Sequence, residues 1–548
     1  MFKGHPKALY ALALANTGER FGYYTMLAVF ALFLRANFGL DAGVAGAIYS
    51  TFLGLVYFMP LLGGILADKF GYGKMVTLGI SVMFVGYLLL SLPLGGIDTP
   101  ETTNLAMAAM LGALVFIAIG TGLFKGNLQV MVGNLYDDPQ YADKRDSAFS
   151  LFYMAINIGA LFAPTAAVEI KRWAEESLGF SGNDAYHFSF AVACVALIIS
   201  MGIYFACRKW YAHVEGGKKS ANNAAAKVED NLSPADTKAR IVALCLVFAV
   251  VIFFWMAFHQ NGLTLTYFAD EFTVKEAFGL QSMAFSVWNL VLVIVAVYAA
   301  FSLVQSKGAG KAVSATVLAV SVIYLCFKGM IVADVINGYE LLNNLANGLN
   351  LSWDGVKWLA NILGVDQNSV AVNAPIFQQF NPFYVVALTP VSLAIFGSLA
   401  KRGKEPSAPR KIAYGMLVAA AGFAVIAFGS QGLLTPDAQA EAIKAGMEPT
   451  LVSANWLILT YLVLTFAELL LSPMGISFVS KVAPPKYKGM MMGGWFVATA
   501  IGNALVAVGG FLWGNIPLTI VWTVFIVLCL LSALFMFAMM KRLEAATK

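Results

Sequence analysis

Ionisable side chains sit where an apolar sequence should exclude them. Glu19 and Arg20 lie in "ALANTGERFGYYTML" (13–27), Lys125 in "GTGLFKGNLQV", His259 in "FFWMAFHQNG" and Glu468 in "LTFAELLLSPMG". Each falls well inside a long apolar run, and Lys328 in "LCFKGM" is a further case. A charge at the centre of a bilayer costs about 2.5–3.5 kcal/mol on insertion scales. Such groups face a partner or a wet cavity, where they can hold a charged solute or pass a proton. A buried lysine needs an anion, and a buried carboxylate needs a cation or takes up a proton. Lys125 and Glu468 could therefore grip the two ends of a zwitterion.

The first of these runs has a pattern. Asn16, Glu19, Arg20, Tyr23, Tyr24 and Leu27 follow one another at helical spacing and form a single stripe. Two readings stay open: a self-contained Glu–Arg pair that locks helix packing, or the wall of a cavity. The tyrosines favour a wall, because their rings bury area while their hydroxyls stay available. Lys125 faces either Glu19 as a fixed bridge or a substrate carboxylate. His259 carries the side chain whose unperturbed titration lies nearest neutrality, so it is a proton relay or a hydrogen-bonded packing residue. Ser472 and Pro473 follow Glu468, and a proline inside a span marks a bend. Lys328 suits an interfacial or structural place, where its stem can snorkel.

Long helices must position these groups. The chain has 548 residues, is 59% hydrophobic and carries 12% charged residues, with a mean hydropathy of +0.75. A soluble protein carries about 25% charged residues. The hydropathy pattern predicts an all-α polytopic membrane protein with spans near 7–36, 43–67, 74–94, 103–135, 147–168, 187–209, 238–269, 283–305, 312–334, 376–400, 411–430, 452–479, 488–513 and 517–540. The short alternating segments of a barrel are absent from this pattern. The first run carries internal charges and lacks a small-residue cleavage site, which argues against a signal peptide. Cys194, Cys207, Cys245, Cys326 and Cys529 show no metal or redox spacing and read as packing residues. No metal and no cofactor is expected.

The predicted organisation is a bundle of six helices (1–210), a polar cytoplasmic linker (211–237) and the first helix of a second bundle (238–282). A transmembrane hairpin (283–334), an extracytoplasmic connection (335–375) and the remaining five helices (376–548) follow. Lysines and arginines recur in alternate loops: Lys69 and Lys74, Lys144 and Arg145, the linker, Lys307 and Lys311, "KRGKEPSAPRK" (401–411), Lys481 to Lys488, and Lys541 with Arg542. That alternation predicts cytoplasmic termini. It also accounts for the net charge of +5 without a nucleic-acid partner. The two halves echo each other. Lys125 lies 34 residues before Gly159 in "INIGAL", and Glu468 lies 34 before Gly502 in "AIGNAL". Related repeats place a substrate site at their interface near the bilayer midplane.

Several long motifs, in order along nearly the whole chain, resemble the proton-dependent oligopeptide transporters of the major facilitator superfamily. "GERFGYYTM" is similar to that family's first-helix ExxERFxYY signature, and "GGILADKFGYGKMVTLG" (63–79) to its second-to-third-helix signature, with Asp68 in the gate loop. "FSLFYMAINIGAL", "FQQFNPFYVVALTP" and "ELLLSPMGIS" resemble its fifth, eighth and tenth helices. The resemblance implies two six-helix bundles around a central cavity. Bacterial members of the family often carry two extra helices between the halves; here the extra pair, 283–334, follows the seventh core helix, a departure that predicts a hairpin packed on the outside of the C-terminal bundle. It implies that Glu468 holds a peptide amino group, that Asn157 and Asn381 bind the peptide, and that Lys125 lies near the peptide carboxylate and the Glu19–Arg20 pair. Tyr23, Tyr24 and Tyr57 become cavity tyrosines, Ser472 part of the binding surface and Trp495 a pocket wall.

Departures from the motif bear on energy coupling. Asn16 stands where the first acid of ExxER belongs, His259 where the seventh-helix acid belongs, and Leu27 where an additional arginine often stands. The resemblance thus implies an importer of di- and tripeptides in the bacterial inner membrane, working by alternating access as a monomer, with protons carried through Glu19 and His259. Alternatives are a differently driven or uncoupled transporter and a different small solute. A membrane enzyme has no nucleophile–base pair, metal cluster or phosphate loop in its favour, and a receptor or scaffold has only a short linker for a signalling part.

Overall fold

A computed structural model describes residues 4–94, 100–141, 144–216, 233–349, 352, 355, 357–358, 360, 369–484 and 487–546. Fourteen of its helices are long and apolar enough to cross a membrane. The core of the 211–237 linker (217–232) and much of the 335–375 connection (350–351, 353–354, 356, 359 and 361–368) lie outside the described residues.

The first six spans are α1 (Lys7–Phe38), α2 (Ala42–Phe70), α3 (Tyr72–Leu90), α4 (Pro100–Asn134), α5 (Arg145–Leu178) and α6 (Tyr186–Ala206). Helix α1 stops at Gly39, whose φ of 61° is left-handed. Asp41 then caps α2 by accepting from the Val44 amide at 3.0 Å. Helix α5 runs ten residues past its predicted end near 168. The polar sequence there forms Glu169–Arg172 and Lys171–Glu175 pairs one turn apart, which carry the helix on beyond the apolar segment.

The seventh span is two pieces. Helix α7 (Pro234–Phe258) ends in a 3-10 turn, His259–Gly262, and α8 (Thr264–Phe272) continues to the far side. The remaining core spans are α12 (Phe380–Lys401), α13 (Ala408–Gly429), α15 (Asn455–Val482), α16 (Lys488–Ala504) continued by α17 (Ala507–Leu512), and α18 (Leu518–Ala538). Between them lie a hairpin, α9 (Val287–Gln305) and α10 (Ala309–Val332), and two short helices, α11 (Gly338–Leu349) and α14 (Pro436–Lys444).

Both halves pack by the same plan. Helix α1 lies against α5 and α6, as α7 lies against α16 and α18; α4 lies against α2 and α3, as α15 lies against α12 and α13. This is the major facilitator fold. The glycines of the sequence echo do equivalent work. A Cβ on Gly159 would meet the Thr17 carbonyl of α1 at 2.8 Å, and a Cβ on Gly502 the Ile252 carbonyl of α7 at 2.5 Å. Lipid gives helices little hydrophobic reason to associate, so close backbone approach supplies the packing.

The inserted hairpin leaves and returns through a two-stranded antiparallel ribbon. Strand β1 (Glu276–Phe278) pairs with β2 (Ser369–Ala371), Ala277 opposite Val370. The base is tied to the C-terminal half, where the Gln281 amide donates to Ser453 and Asn455. Helix α9 then packs on α12 and also touches α5 of the other half, with Trp288 edge-on to Phe162 at 5.6 Å. The hairpin straddles both halves instead of lying on the C-terminal bundle alone. The ribbon sets it beside the start of α12, which itself borders α5.

Helices α2 and α4 meet almost backbone to backbone: a Cβ on Gly63 would lie 2.1 Å from the Gly122 carbonyl, whereas one on neighbouring Gly64 meets nothing within 4 Å. Gly63→Val is expected to cost at least about 1–3 kcal/mol and lower the Tm of the purified protein, with Gly64→Ala nearly neutral. Equal Tm values for the two variants would contradict this packing.

Candidate functional site

The stripe on α1 faces inward. Asn16, Glu19, Arg20 and Tyr23 are buried. The Arg20 Nε and Nη2 atoms donate to the two Glu19 oxygens, so the carboxylate is held in a fork. The guanidinium also lies 4.6 Å from the centre of the Tyr23 ring. Glu19 and Arg20 are adjacent in sequence and fully enclosed, so the pair is closed on itself in this state. The Asn16 Nδ2 atom and the Tyr23 hydroxyl are buried nearby without hydrogen-bond partners.

Lys125 projects from α4 toward α2. Its ammonium lies 4.3 Å from the centre of the Tyr57 ring. It forms no ion pair with Glu19 among the described residues, although Glu19 and Arg20 lie within electrostatic reach. The fixed Lys125–Glu19 bridge considered from sequence is therefore absent here. The cation is braced by an aromatic face and left open to an anion.

Glu468 comes from α15 in the other half and is 8% exposed. Its Oε2 accepts from the Asn381 amide of α12 at 2.8 Å, and the same amide donates to Thr465 at 3.1 Å. One turn along α15, the Ser472 hydroxyl is buried without a partner. Tyr24, Tyr57 and Tyr153, all of the N-terminal half, lie within electrostatic reach of Glu468. The Tyr57 ring thus faces Lys125 while Glu468 lies within electrostatic reach of its hydroxyl. Tyr153 is 48% exposed, and Glu468 of the other half lies within its electrostatic reach.

The other predicted site residues fall into place less uniformly. Asn157 is buried, and its amide donates back to the Tyr153 carbonyl on its own helix at 3.0 Å. Trp495 on α16 is 3% exposed and lies over Gly475 of α15, so close that a Cβ there would come 1.8 Å from Cη2. Asp68 is exposed and accepts from the Tyr72 hydroxyl at 2.8 Å within its own turn. His259 caps α7 at the mid-span break, stacked on Trp255 at 5.1 Å and 6.0 Å from the Tyr57 ring. Lys328 lies in the hairpin, apart from the site.

The halves are latched at the end away from the Lys/Arg-rich loops. Arg35 at the end of α1 pairs with Glu271 of α8 and stacks on Tyr267 at 4.7 Å. Glu271 also accepts from the Trp513 indole at 3.1 Å. Gln378, before α12, donates to the Ala28 carbonyl of α1, and Thr165 of α5 donates to Gln379. Gly46 of α2 and Gly510 of α17 are in backbone contact. These links join the two halves at that end. Sequence reasoning missed Arg35 and Glu271, each at a helix end, and Thr165, in the middle of α5, because each gains meaning only from its partner in the other half.

The family model described as the POT family matches residues 73–232 and 358–512, more than half of the chain. The chain belongs to the POT family. It is 29% identical over 542 residues to an uncharacterised transporter, YclF, of Bacillus subtilis (strain 168), covering 94% of this chain and 90% of that one. It is 29% identical over 528 residues to the peptide transporter YePEPT of Yersinia enterocolitica subsp. palearctica, covering 93% and 88%. The dipeptide and tripeptide permease A of Cronobacter turicensis is 27% identical over 506 residues, covering 92% and 83%. Among solved structures, the crystal structure of peptide transporter POT in complex with sulfate superposes with a TM-score of 0.69 at 22% identity, covering 100% of this chain and 96% of that one. That likeness establishes the fold of this POT-family chain.

Breaking a buried pair leaves an uncompensated charge, at a cost of about 3–5 kcal/mol, whereas removing both partners costs far less. Arg20→Ala is therefore expected to lower stability by about 3–5 kcal/mol in thermal unfolding, and Glu19→Gln with Arg20→Met to recover most of it. A stable Arg20→Ala protein would contradict the enclosed pairing.

Proposed function

We propose that this POT-family protein is a secondary transporter that carries di- and tripeptides inward by alternating access. The observation that carries this reading is Tyr57, whose ring faces Lys125 of its own half and which lies within electrostatic reach of Glu468 of the other. A peptide is a zwitterion whose ends carry opposite charges. Its ammonium meets Glu468 and Asn381, and its carboxylate meets Lys125. Tyr24, Tyr153 and Ser472 offer hydroxyls to the backbone between them. Recognition by ends and backbone leaves the side chains unread, which suits many sequences. The relatives named as peptide transporter and as dipeptide and tripeptide permease support the same reading.

The Lys/Arg-rich loops, and with them both termini, face the cytoplasm by the positive-inside rule, in a bacterial inner membrane. The latch of Arg35 with Glu271 then lies on the outer side, and this state opens inward. Rocking the halves about the chamber breaks the outer latch and closes the inner side. Transport is driven by protons. Glu19 is engaged on both oxygens by Arg20, so the proton-carrying role falls to His259 at the break in α7. The protein works as a monomer, each copy holding a complete chamber.

The test is uptake of a labelled dipeptide into sealed proteoliposomes, with and without an inward proton gradient. Accumulation that depends on the gradient, and that tripeptides displace while free amino acids and unrelated solutes do not, is the expected result. Gradient-independent uptake contradicts symport, and displacement by an unrelated solute contradicts the peptide reading. Glu271→Gln, which opens the outer latch, is expected to slow uptake several-fold while dipeptide binding at equilibrium is retained. Unchanged uptake would show that the latch is no part of the cycle.

A further inference from the structure

The side-chain amide of Asn381 has two N–H groups to give and one oxygen to offer. Both N–H groups are spent on α15: Nδ2 donates to Glu468 Oε2 at 2.8 Å and to Thr465 Oγ1 at 3.1 Å. A carboxylate oxygen only accepts, so the nitrogen of the amide, and not its oxygen, has to face Glu468. The orientation of Asn381 is thereby fixed by chemistry. Its Oδ1 is left over and bonds to nothing among the described residues.

Glu468 is also half used. Its Oε2 is taken by the amide, and Oε1 has no donor among the described residues. Tyr24, Tyr57 and Tyr153 lie within electrostatic reach of the carboxylate but do not bond to it. The Ser472 hydroxyl, one turn along α15, bonds to nothing and can turn either way, as donor or as acceptor. Two fixed acceptors therefore remain, Asn381 Oδ1 and Glu468 Oε1, held as neighbours because their side chains are bonded to each other.

Thr465 is what removes the last donor. It is 0% exposed and stands three residues before Glu468, on the same face of α15. A β-branched side chain has few rotamers in a helix, which makes it a stiff post. Its Oγ1 takes up the N–H that Asn381 would otherwise show to a ligand. An amide showing that N–H next to the Glu468 oxygen would suit a donor and an acceptor alike. With Thr465 in place, the fixed polar groups offered at this end are acceptors only. An ammonium brings only donors and a carboxylate only acceptors, so this arrangement admits the first and turns away the second.

We propose that Thr465 is a positioning residue that makes the amino-end subsite donor-free, and that Asn381 Oδ1 and Glu468 Oε1 together read two N–H groups on the amino end of the substrate. This rests on the peptide reading above and deepens it by naming the substrate class. Peptides with a primary or singly alkylated amino end supply both N–H groups. A doubly alkylated amino end keeps its charge but supplies one, and leaves an acceptor unanswered. The same arrangement sets which way round a peptide lies, since the carboxylate end finds nothing to donate to it beside Thr465.

The experiment is equilibrium binding, at one neutral pH, to the full-length protein in lipid nanodiscs. The ligands are dialanine, its N-methyl and N,N-dimethyl forms, and dialanine C-terminal amide. The first methyl is expected to cost little, and the second to weaken binding about twofold to tenfold, the loss of one hydrogen bond. Steric exclusion would instead build up with each methyl, so equal steps, or no step at the second methyl, would overturn the proposal. Thr465→Val keeps the shape and removes the hydroxyl. It is expected to weaken dialanine about twofold to tenfold and to shrink the step at the second methyl, with the cost of C-terminal amidation unchanged. Thr465→Ser is expected to restore both the affinity and the step. Parent-like binding in Thr465→Val, or an equal loss for all four ligands, would overturn the role of Thr465, and the methyl series in the unsubstituted protein decides the reading of the amino end even where the valine variant does not fold. Failure of all four ligands to bind the unsubstituted protein would instead strike the peptide reading beneath it.

Discussion

The constraint on which this molecule turns is the cost of holding a charge away from water inside a bilayer. Three answers to that cost are visible. Glu19 and Arg20 close on each other in a fork and become part of the packing. Arg35 and Glu271 close across the two halves and become a latch. Lys125 and Glu468 are left incomplete, one braced by an aromatic ring and the other by a single amide. Groups left open in this way suit water or a ligand, and this is what makes the last pair the centre of the proposed site.

The scaffold serves that asymmetry. Because lipid offers little drive for helix association, each half is held by close backbone approach at glycines such as Gly63, Gly159 and Gly502. The two halves are thus each tied together from within. The contacts between them are of another kind: an ion pair, side-chain-to-backbone hydrogen bonds and a glycine contact at one end. Such contacts can be exchanged for others at modest cost. The inserted hairpin, rooted in the C-terminal half through Gln281 and reaching Phe162 of the other through Trp288, spans the seam between the halves.

Much of this was legible in the sequence, for physical reasons. Spans were readable because a bilayer demands long apolar runs, and Glu468 and Lys125 because charges inside those runs stand out. The α1 stripe was readable because helical spacing is local. What was not legible is pairing. Nothing in the sequence near Arg35 says that Glu271 will answer it. The break at His259–Gly262 was hidden inside an unbroken hydropathy peak, and the end of α5 was missed because polar residues can extend a helix into water. The echo of "INIGAL" in "AIGNAL" was the one long-range signal, and it marks equivalent helix crossings in the two halves.

The central claim is that Lys125 and Glu468 hold opposite ends of one short peptide. A chemical double-mutant cycle tests it: binding of a dipeptide, its N-acetylated form and its C-terminal amide to the unsubstituted protein, to Glu468→Gln and to Lys125→Ala. The account predicts that acetylation costs much less in Glu468→Gln than in the parent while amidation costs the same, and that Lys125→Ala shows the reverse, with each coupling on the order of 1–3 kcal/mol. Purely additive losses in both variants, for both blocked peptides, would contradict it.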